Sequence, residues 1–362
     1  MATPSYTIAP LPPTQPVETT AVLKRLAEAH RYLAELKGVA ATIPNERILV
    51  DTLSLQEAKD SSAIENIITT DDEVYRSDYL AMAFASPAAK EVHRYAQALK
   101  LGFDEVRHAG GIGLNTILRV QATLEANGAG LRKLPGTVLK NDRTGEVVYT
   151  PPQDNTIIVD LMNNLEAFLN NDQLLDVDPL VKMAIAHHQF ESIHPFYDGN
   201  GRTGRILNIL YLVRCGLLDL PILYMSRFII RHKAEYYRLL QTVRADGNWE
   251  PWVLYMLEAI ARTAQQTIAL VKDIRALMQQ YKQRIRTEQP RLYSQDLLNN
   301  LFRHPYTKID FMMRDMEVTR LTATRYLNVL VGMKLLQKVK VGRTNFYLNE
   351  PLFDLLRKGA LH

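Results

Sequence analysis

The sequence predicts a mainly α-helical fold with one β-hairpin set into its middle and a second near its C-terminal end. Three observations carry this. Apolar residues recur at three- and four-residue steps through most of residues 19–285. The pattern changes to β-branched runs around a polar turn only at 134–149 and again at 336–348. The most apolar run, Ile206 to Val213, is far shorter than a membrane span and is bracketed by Arg205 and Arg214.

Taken in order, residues 1–18 carry five prolines and read as an extended arm. Residues 19–105 read as an N-terminal helical region. Leu23, Leu26, Ala27, His30, Leu33 and Leu36 mark one face of its first helix, and further helices are expected from Ser61 and from Ala88. A central unit spans 106–285. It opens with a helix over 113–126, followed by the hairpin 136–149, with Asn141, Asp142 and Gly145 in the turn. Pro151 and Pro152 close the hairpin, and helical spacing resumes at 157. Pro290 marks a boundary. Residues 291–362 then give three short amphipathic segments (295–303, 307–316, 321–332) and two strand-like runs joined at Gly342 and Arg343, the order of a winged helix-turn-helix.

Composition narrows the class. The chain has 362 residues, 47% apolar and 23% charged, as in ordinary globular proteins. A net charge of +4 is too small to make the whole chain a nucleic-acid binder. The single cysteine, Cys215, excludes an internal disulfide framework and sits among apolar neighbours as a core residue. The N-terminal residues have neither the basic nor the apolar region of a signal peptide. A cytoplasmic location without membrane contact is expected.

Chemistry concentrates at 194–205, His-Pro-Phe-Tyr-Asp-Gly-Asn-Gly-Arg-Thr-Gly-Arg. Asp178-Pro179 starts a helix and Pro195 stops it, which puts His194 at the helix exit. The next helix is expected from about Arg202. Between them, Gly199 and Gly201 let main-chain N–H groups converge beside a helix N-terminus, an anion site. Arg202 and Arg205, three apart, are expected on one face, with forks suited to phosphate oxygens. Asp198 can hold Mg²⁺ together with phosphates. His194 can accept a proton near neutral pH. Taken singly, the glycines and arginines also fit plain helix caps and a solvated face. His187 and His188 lack usual zinc spacing relative to His194.

The whole string matches the Fic motif H-P-F-x-[DE]-G-N-[GK]-R-x-x-R at every fixed position, and the chain resembles the Fic family over about residues 100–265. The resemblance implies a helical core with a β-hairpin flap and transfer of a nucleoside monophosphate to protein hydroxyls. On it, His194 activates a Ser, Thr or Tyr hydroxyl, Asp198 holds Mg²⁺, and Gly199, Asn200 and Gly201 cradle the phosphates. Arg202 and Arg205 bind the leaving pyrophosphate, with Thr203 and Gly204 completing the ATP-binding stretch, and Phe196 is a core anchor. Glycine at 201 points to AMP transfer, because relatives that use ATP as a phosphate donor carry Lys there.

Other segments extend the resemblance. Ser61-Ser-Ala-Ile-Glu65-Asn66 fits the inhibitory motif [ST]-x-x-x-E-[GN], in which Glu65 would pair with Arg205 and hold ATP in an unproductive pose. In relatives this glutamate can also serve AMP removal. The hairpin, with Thr137, Val138, Val147 and Val148, is similar to the target-docking flap. Tyr236 matches a tyrosine near the adenine, and the reading as a plain core residue stays open. Trp249 and Trp252 are expected in the core.

The C-terminal segment carries Arg320, Arg325, Lys334, Lys338, Lys340 and Arg343. This basic face suits DNA, and packing or protein contact is the other use of such domains. The partners implied are a protein substrate and a homodimer. The alternative to an autoinhibited adenylyltransferase is a DNA-binding regulator whose core only senses nucleotide; an intact His194 favours the enzyme.

Overall fold

The computed structural model describes residues 7–77, 86–141, 144–341 and 344–358. The turn residues Asp142, Gly342 and Arg343 lie outside them. The N-terminal region holds α1 (Thr20–Ala40), α2 (Glu46–Ile64), α3 (Asp71–Ser77) and α4 (Pro87–Ala109). The central unit holds α5 (Leu114–Glu125), β1 (Leu139–Lys140), β2 (Val147–Tyr149) and α6 (Asn155–Asn170). It continues with α7 (Pro179–Ile193), α8 (Asn200–Arg214), α9 (Met225–Arg231), α10 (Lys233–Asp246) and the long α11 (Glu250–Glu288). The C-terminal part holds α12 (Gln295–Arg303), β3 (Tyr306–Thr307), α13 (Ile309–Met316), α14 (Arg320–Gly332), β4 (Gln337–Val341), β5 (Thr344–Leu348) and α15 (Glu350–Lys358).

The fold is mostly helical, with a two-stranded hairpin β1–β2 and a small antiparallel sheet in the order β3-β5-β4. At its centre α7 packs on α8, and every residue from Leu180 to Ile193 is buried. A helix that is apolar or paired on all sides belongs inside a core, and here α4, α6 and α11 surround the pair. His194, at the end of α7, is thus carried on the buried centre of the fold. Among the described residues no helix is long and apolar enough to cross a membrane.

The arm lies against this core without forming helix. Ile8, Leu11 and Val17 are buried, and the Asn164 side chain pairs with both the N–H and the C=O of Leu11.

The structure corrects several expectations. The buried stripe of α1 is Val22, Leu26, Ala29, Leu33, Leu36 and Ala40, so Leu23 and Ala27 face solvent. Helix α2 does not begin near Ser61. Its N-cap is Asn45, whose side chain accepts the Arg47 N–H, and Ser61 sits in the last turn. Helix α8 starts at Asn200, two residues ahead of Arg202, because Gly199 supplies the cap with a left-handed backbone (φ 75°).

The hairpin is shorter than its β-branched runs suggest. Residues 134–138 are not strand; the Gln153 side chain accepts the Gly136 N–H (2.6 Å) and donates to the Thr137 carbonyl (2.9 Å), taking over bonds that a partner strand would supply. Two elements carried no sequence signal strong enough to place them. Strand β3 has only two residues, and α15 follows the second hairpin and returns to α11.

Candidate active site

His194 caps α7 with a left-handed backbone, φ 48° and ψ 58°, and its N–H closes the helix on Phe190 O (3.0 Å). Pro195 forbids another helical turn. The Asn200 side chain fixes the loop that follows, accepting the Phe196 N–H and donating to the Phe196 carbonyl, both at 2.8 Å. Phe196 itself is buried. The Asp198 side chain is 77% exposed at the loop's outer edge, and its Oδ1 accepts the Gly199 N–H (2.7 Å).

A cleft of about 1040 Å³ opens beside this loop. His194, Gly201 and Arg205 form one wall, Glu65 and Asn66 another, Val138 to Asn141 and Val148 the flap side, and Lys233 to Arg244 of α10 the floor. The structure therefore brings His194, Gly201, Arg205, Glu65, Tyr236, Val138 and Val148 into one space. Thr137, Val147, Asp198, Gly199, Asn200 and Arg202 lie outside this lining. Thr203 and Gly204 are buried within α8.

The two motif arginines do not share a face. Arg205 turns to α2, where its Nε donates to Ser61 Oγ (2.8 Å) and its Nη2 to the Ser61 carbonyl (3.0 Å) and Glu65 Oε1 (2.8 Å). Arg202 turns the other way, into Glu91 of α4 (2.7 Å) and Glu125 of α5 (3.0 Å). Both guanidiniums are buried, so each settles where carboxylates can satisfy its fork.

The geometry explains the spacing of the second motif. Ser61 and Glu65 are four apart, one helical turn, so both reach the same guanidinium. Asn66 follows at φ 63°, where α2 must stop. The left-handed region is open to glycine and asparagine and strained for most residues, which accounts for Gly or Asn at this place. A Cβ at Gly201 would collide with Glu65 Oε1 and come within 2.9 Å of Arg205 Nη1. Glycine there leaves room for the ion pair.

Electrostatics fit an anion site beside a neutral base. Burial, with Arg132 and Arg244 adding to it, pushes His194 down to about 4, against the opposing pull of Glu65. Burial alone would raise Glu65, but Arg205, Arg202 and Lys233 outweigh it and hold the carboxyl below its ordinary value. Tyr236 is buried, and its hydroxyl pairs with His187 Nε2 (2.8 Å). Burial drives His187 and His188 to about 3, so both are neutral packing partners of Trp252. Trp249 and Trp252 are in the core as expected.

Three further residues at or behind the cleft lie outside the motifs of the sequence. Glu191 lines the cleft and is pushed up to about 7 by burial, lowered in part by Arg205 and raised again by Glu65. Its place one turn before His194 could have found it. Arg244 lies at the cleft floor with its guanidinium 3.9 Å over the Tyr149 ring. Arg132, in an irregular segment without periodicity, is buried behind His194.

Among the described residues, no three His, Cys, Asp or Glu side chains gather to hold a metal alone. A Mg²⁺ ion at Asp198 would need nucleotide phosphates as further ligands. One exposed carboxylate with open acceptor positions fits that mode of binding.

Against known proteins, three family models match consecutive segments that together cover most of the chain. They are the Fic/DOC family N-terminal region at residues 23–104, the Fic/DOC family at 112–212, and the C-terminal domain of SoFic-like protein adenylyltransferases at 277–352. The chain belongs to the Fic family. It is 35% identical over 115 residues to the protein adenylyltransferase Fic of Aedes aegypti, a match covering 32% of this chain and 21% of that protein. It is 31% identical over 123 residues to protein adenylyltransferase fic-1 of Caenorhabditis elegans, covering 33% and 22%. The matches thus span about a fifth of the length of these relatives. The fold is similar to the crystal structure of a Fic family protein from Desulfovibrio desulfuricans, with a TM-score of 0.59 at 21% identity over 92% of this chain and 98% of that one. It is also similar to a structure of Fic-1 from C. elegans, with a TM-score of 0.51 at 20% identity over 69% and 73%.

Proposed function

We propose that this protein is an adenylyltransferase that moves AMP from ATP to Ser, Thr or Tyr hydroxyls of proteins, itself included, and that Glu65 holds it inactive. One observation carries this reading: His194 and Arg205 line the same cleft, and Glu65 is seated on Arg205 at 2.8 Å. The relatives named as protein adenylyltransferases support the activity.

In the transfer, the target hydroxyl oxygen attacks the α-phosphorus of ATP in line. Its proton passes to neutral His194. The bond from the α-phosphorus to the bridging oxygen of the β-phosphate breaks, and pyrophosphate leaves. Main-chain N–H groups in the first turn of α8, from Asn200 on, would meet the phosphates; that of Gly199 is taken by Asp198 Oδ1. Arg205 binds the γ-phosphate once Glu65 has left it. Mg²⁺ at Asp198 offsets phosphate charge when bound. Arg202, held by Glu91 and Glu125, shapes the loop from behind. Tyr236 bounds the nucleotide space, and the flap edge at Val138 to Asn141 adds the target segment by main-chain bonds.

The test is labelling of protein by ATP carrying label at the α or the γ position, with Mg²⁺, in wild type, Glu65→Gly and Glu65→Gly/His194→Ala. The expected result is α-label only, at least ~10-fold stronger in Glu65→Gly and absent in the double variant. Transfer of γ-label, or no label in any variant, overturns the reading.

A further inference from the structure

We propose that Arg132 is the positioning residue of this reaction, holding the backbone of the base, His194, in register with the flap that brings the target hydroxyl. The inference rests on the reading of His194 as the base.

Arg132 is 1% exposed, and no carboxylate is among its hydrogen-bond partners. A buried cation is costly unless its donors are satisfied. Here Nε and Nη2 donate to main-chain carbonyls at a single junction, while the buried Nη1 makes no hydrogen bond. Nε donates to the His194 carbonyl (2.8 Å), and Nη2 to the carbonyls of Pro152 (2.9 Å) and Ile193 (3.4 Å). Its own N–H donates to the Pro195 carbonyl (2.8 Å), and its carbonyl accepts from Asn155 Nδ2 (2.6 Å). Ile193 and His194 present the carbonyls left open where α7 ends, the negative pole of that helix, and a guanidinium is well matched to them. Pro152 follows β2 and closes the flap. One planar fork thus spans the helix end, the left-handed base and the flap's exit. The adjoining residues repeat the link, since the Tyr197 hydroxyl accepts the N–H groups of Lys133 (3.0 Å) and Leu134 (3.2 Å).

The consequence for chemistry follows from distance. Proton transfer needs the imidazole within hydrogen-bond reach of a hydroxyl that the flap holds. His194 sits at φ 48°, a conformation that a non-glycine residue keeps only when its surroundings over-determine it. Without the Arg132 fork, the base and the flap would be tied only by the Tyr197 hydroxyl and by the Tyr149 hydroxyl on the Ser192 carbonyl (2.8 Å), and could shift relative to each other. A displacement of ~1 Å costs on the order of 100-fold in rate. Lysine, a single point donor, can keep one of these bonds but not the fork.

The experiment uses the full chain with Glu65→Gly as background and adds Arg132→Met or Arg132→Lys, reading kcat and KM for ATP. Arg132→Met is expected to lower kcat by on the order of 30- to 100-fold with KM for ATP within about twofold, and Arg132→Lys to recover part of the loss. An unchanged kcat, or a loss carried by KM for ATP alone, overturns the proposal. Hydrogen exchange on the otherwise wild-type chain tests it without turnover. Peptides over 190–198 and 147–153 should lose protection together in Arg132→Met while α11 keeps its own. Unchanged exchange, or a uniform rise across the chain, overturns it equally. If Glu65→Gly transfers no AMP, the functional reading falls, and exchange alone decides whether Arg132 couples base to flap.

Discussion

His194 is a neutral imidazole whose surroundings oppose its protonation. Burial is the largest influence, Arg132 and Arg244 add positive charge nearby, and together they bring it down to about 4. The consequence for activity has a definite sign. On the proposed mechanism His194 must be unprotonated to take the proton, so transfer is lost as pH falls through the His194 value and is insensitive to pH above it. For Glu65→Gly the acid limb of kcat/KM, which reports the free enzyme, is expected with its midpoint near pH 4 or lower, because removing Glu65 takes away the group that favours the charged imidazole. The profile should be flat from about pH 6 to 8. A midpoint between 6 and 7, the range of an unperturbed histidine, would contradict the burial seen here. Stability carries the same sign: His187 and His188, at about 3 when folded, favour the folded state least in acid, where the unfolded chain takes up protons below about pH 6.5.

At the scale of the element, the brake we propose is the C-terminal turn of α2. Its geometry is set by Asn66, which ends the helix at φ 63° and lets Glu65 turn into the cleft. The Asn66 side chain also accepts from Lys233 Nζ (3.2 Å). Asn66→Gly should keep the inhibited state, since glycine takes this conformation freely. Asn66→Ala meets a left-handed cost of roughly 1 kcal/mol, which shifts the seated and released forms by ~5-fold. Basal AMP transfer, measured as α-label incorporation, is therefore expected to rise about fivefold in Asn66→Ala and to stay near wild type in Asn66→Gly. Equal rates in the two variants would mean that the helix end does not govern Glu65. The elements differ in how far the sequence revealed them. The exit of α7 and the catalytic loop were legible because Pro195, Gly199 and the arginines act locally, through backbone restriction and charge. The partners were not: nothing within 194–205 says that Arg202 turns to Glu91 and Glu125, since that depends on where α4 and α5 pack. Arg132 was invisible for the same reason, its role lying in carbonyls far along the chain. The strands of the flap are shorter than the sequence suggests because β-branched residues mark both a true ladder and a loop held by a side chain such as Gln153.

At the scale of the whole molecule, α2 is gripped from two sides. On the core side, Arg227 donates to Asp60 (3.3 Å) and Gln56 (3.2 Å), and Ser226 donates through its N–H and hydroxyl to Glu57. On the C-terminal side, Arg303 of α12 donates to Asp51 (2.8 Å), and Gln56 donates to the Leu356 carbonyl of α15 (2.6 Å). Gln56 belongs to both grips. Asp51, which burial would raise, is held below its ordinary value by Lys100, His304 and Arg303 together. Its ion pairs therefore favour the folded state above about pH 4 and are lost in stronger acid. On the proposed reading, a withdrawal of α2 as a whole would strain both sets of contacts, so the C-terminal part would share in holding Glu65 on Arg205. Cutting one contact should lower the cost of withdrawal. The Arg303–Asp51 pair is partly exposed, with Arg303 34% accessible, so its net worth is about 1 kcal/mol or less. Arg303→Ala is accordingly expected to raise basal AMP transfer two- to fivefold in the otherwise wild-type chain and to change nothing in Glu65→Gly, where no brake remains to loosen. A rise of the same size in both backgrounds would place the effect in the catalytic site itself. An unchanged wild-type rate, with α12 more open to hydrogen exchange, would mean that the core side alone seats Glu65.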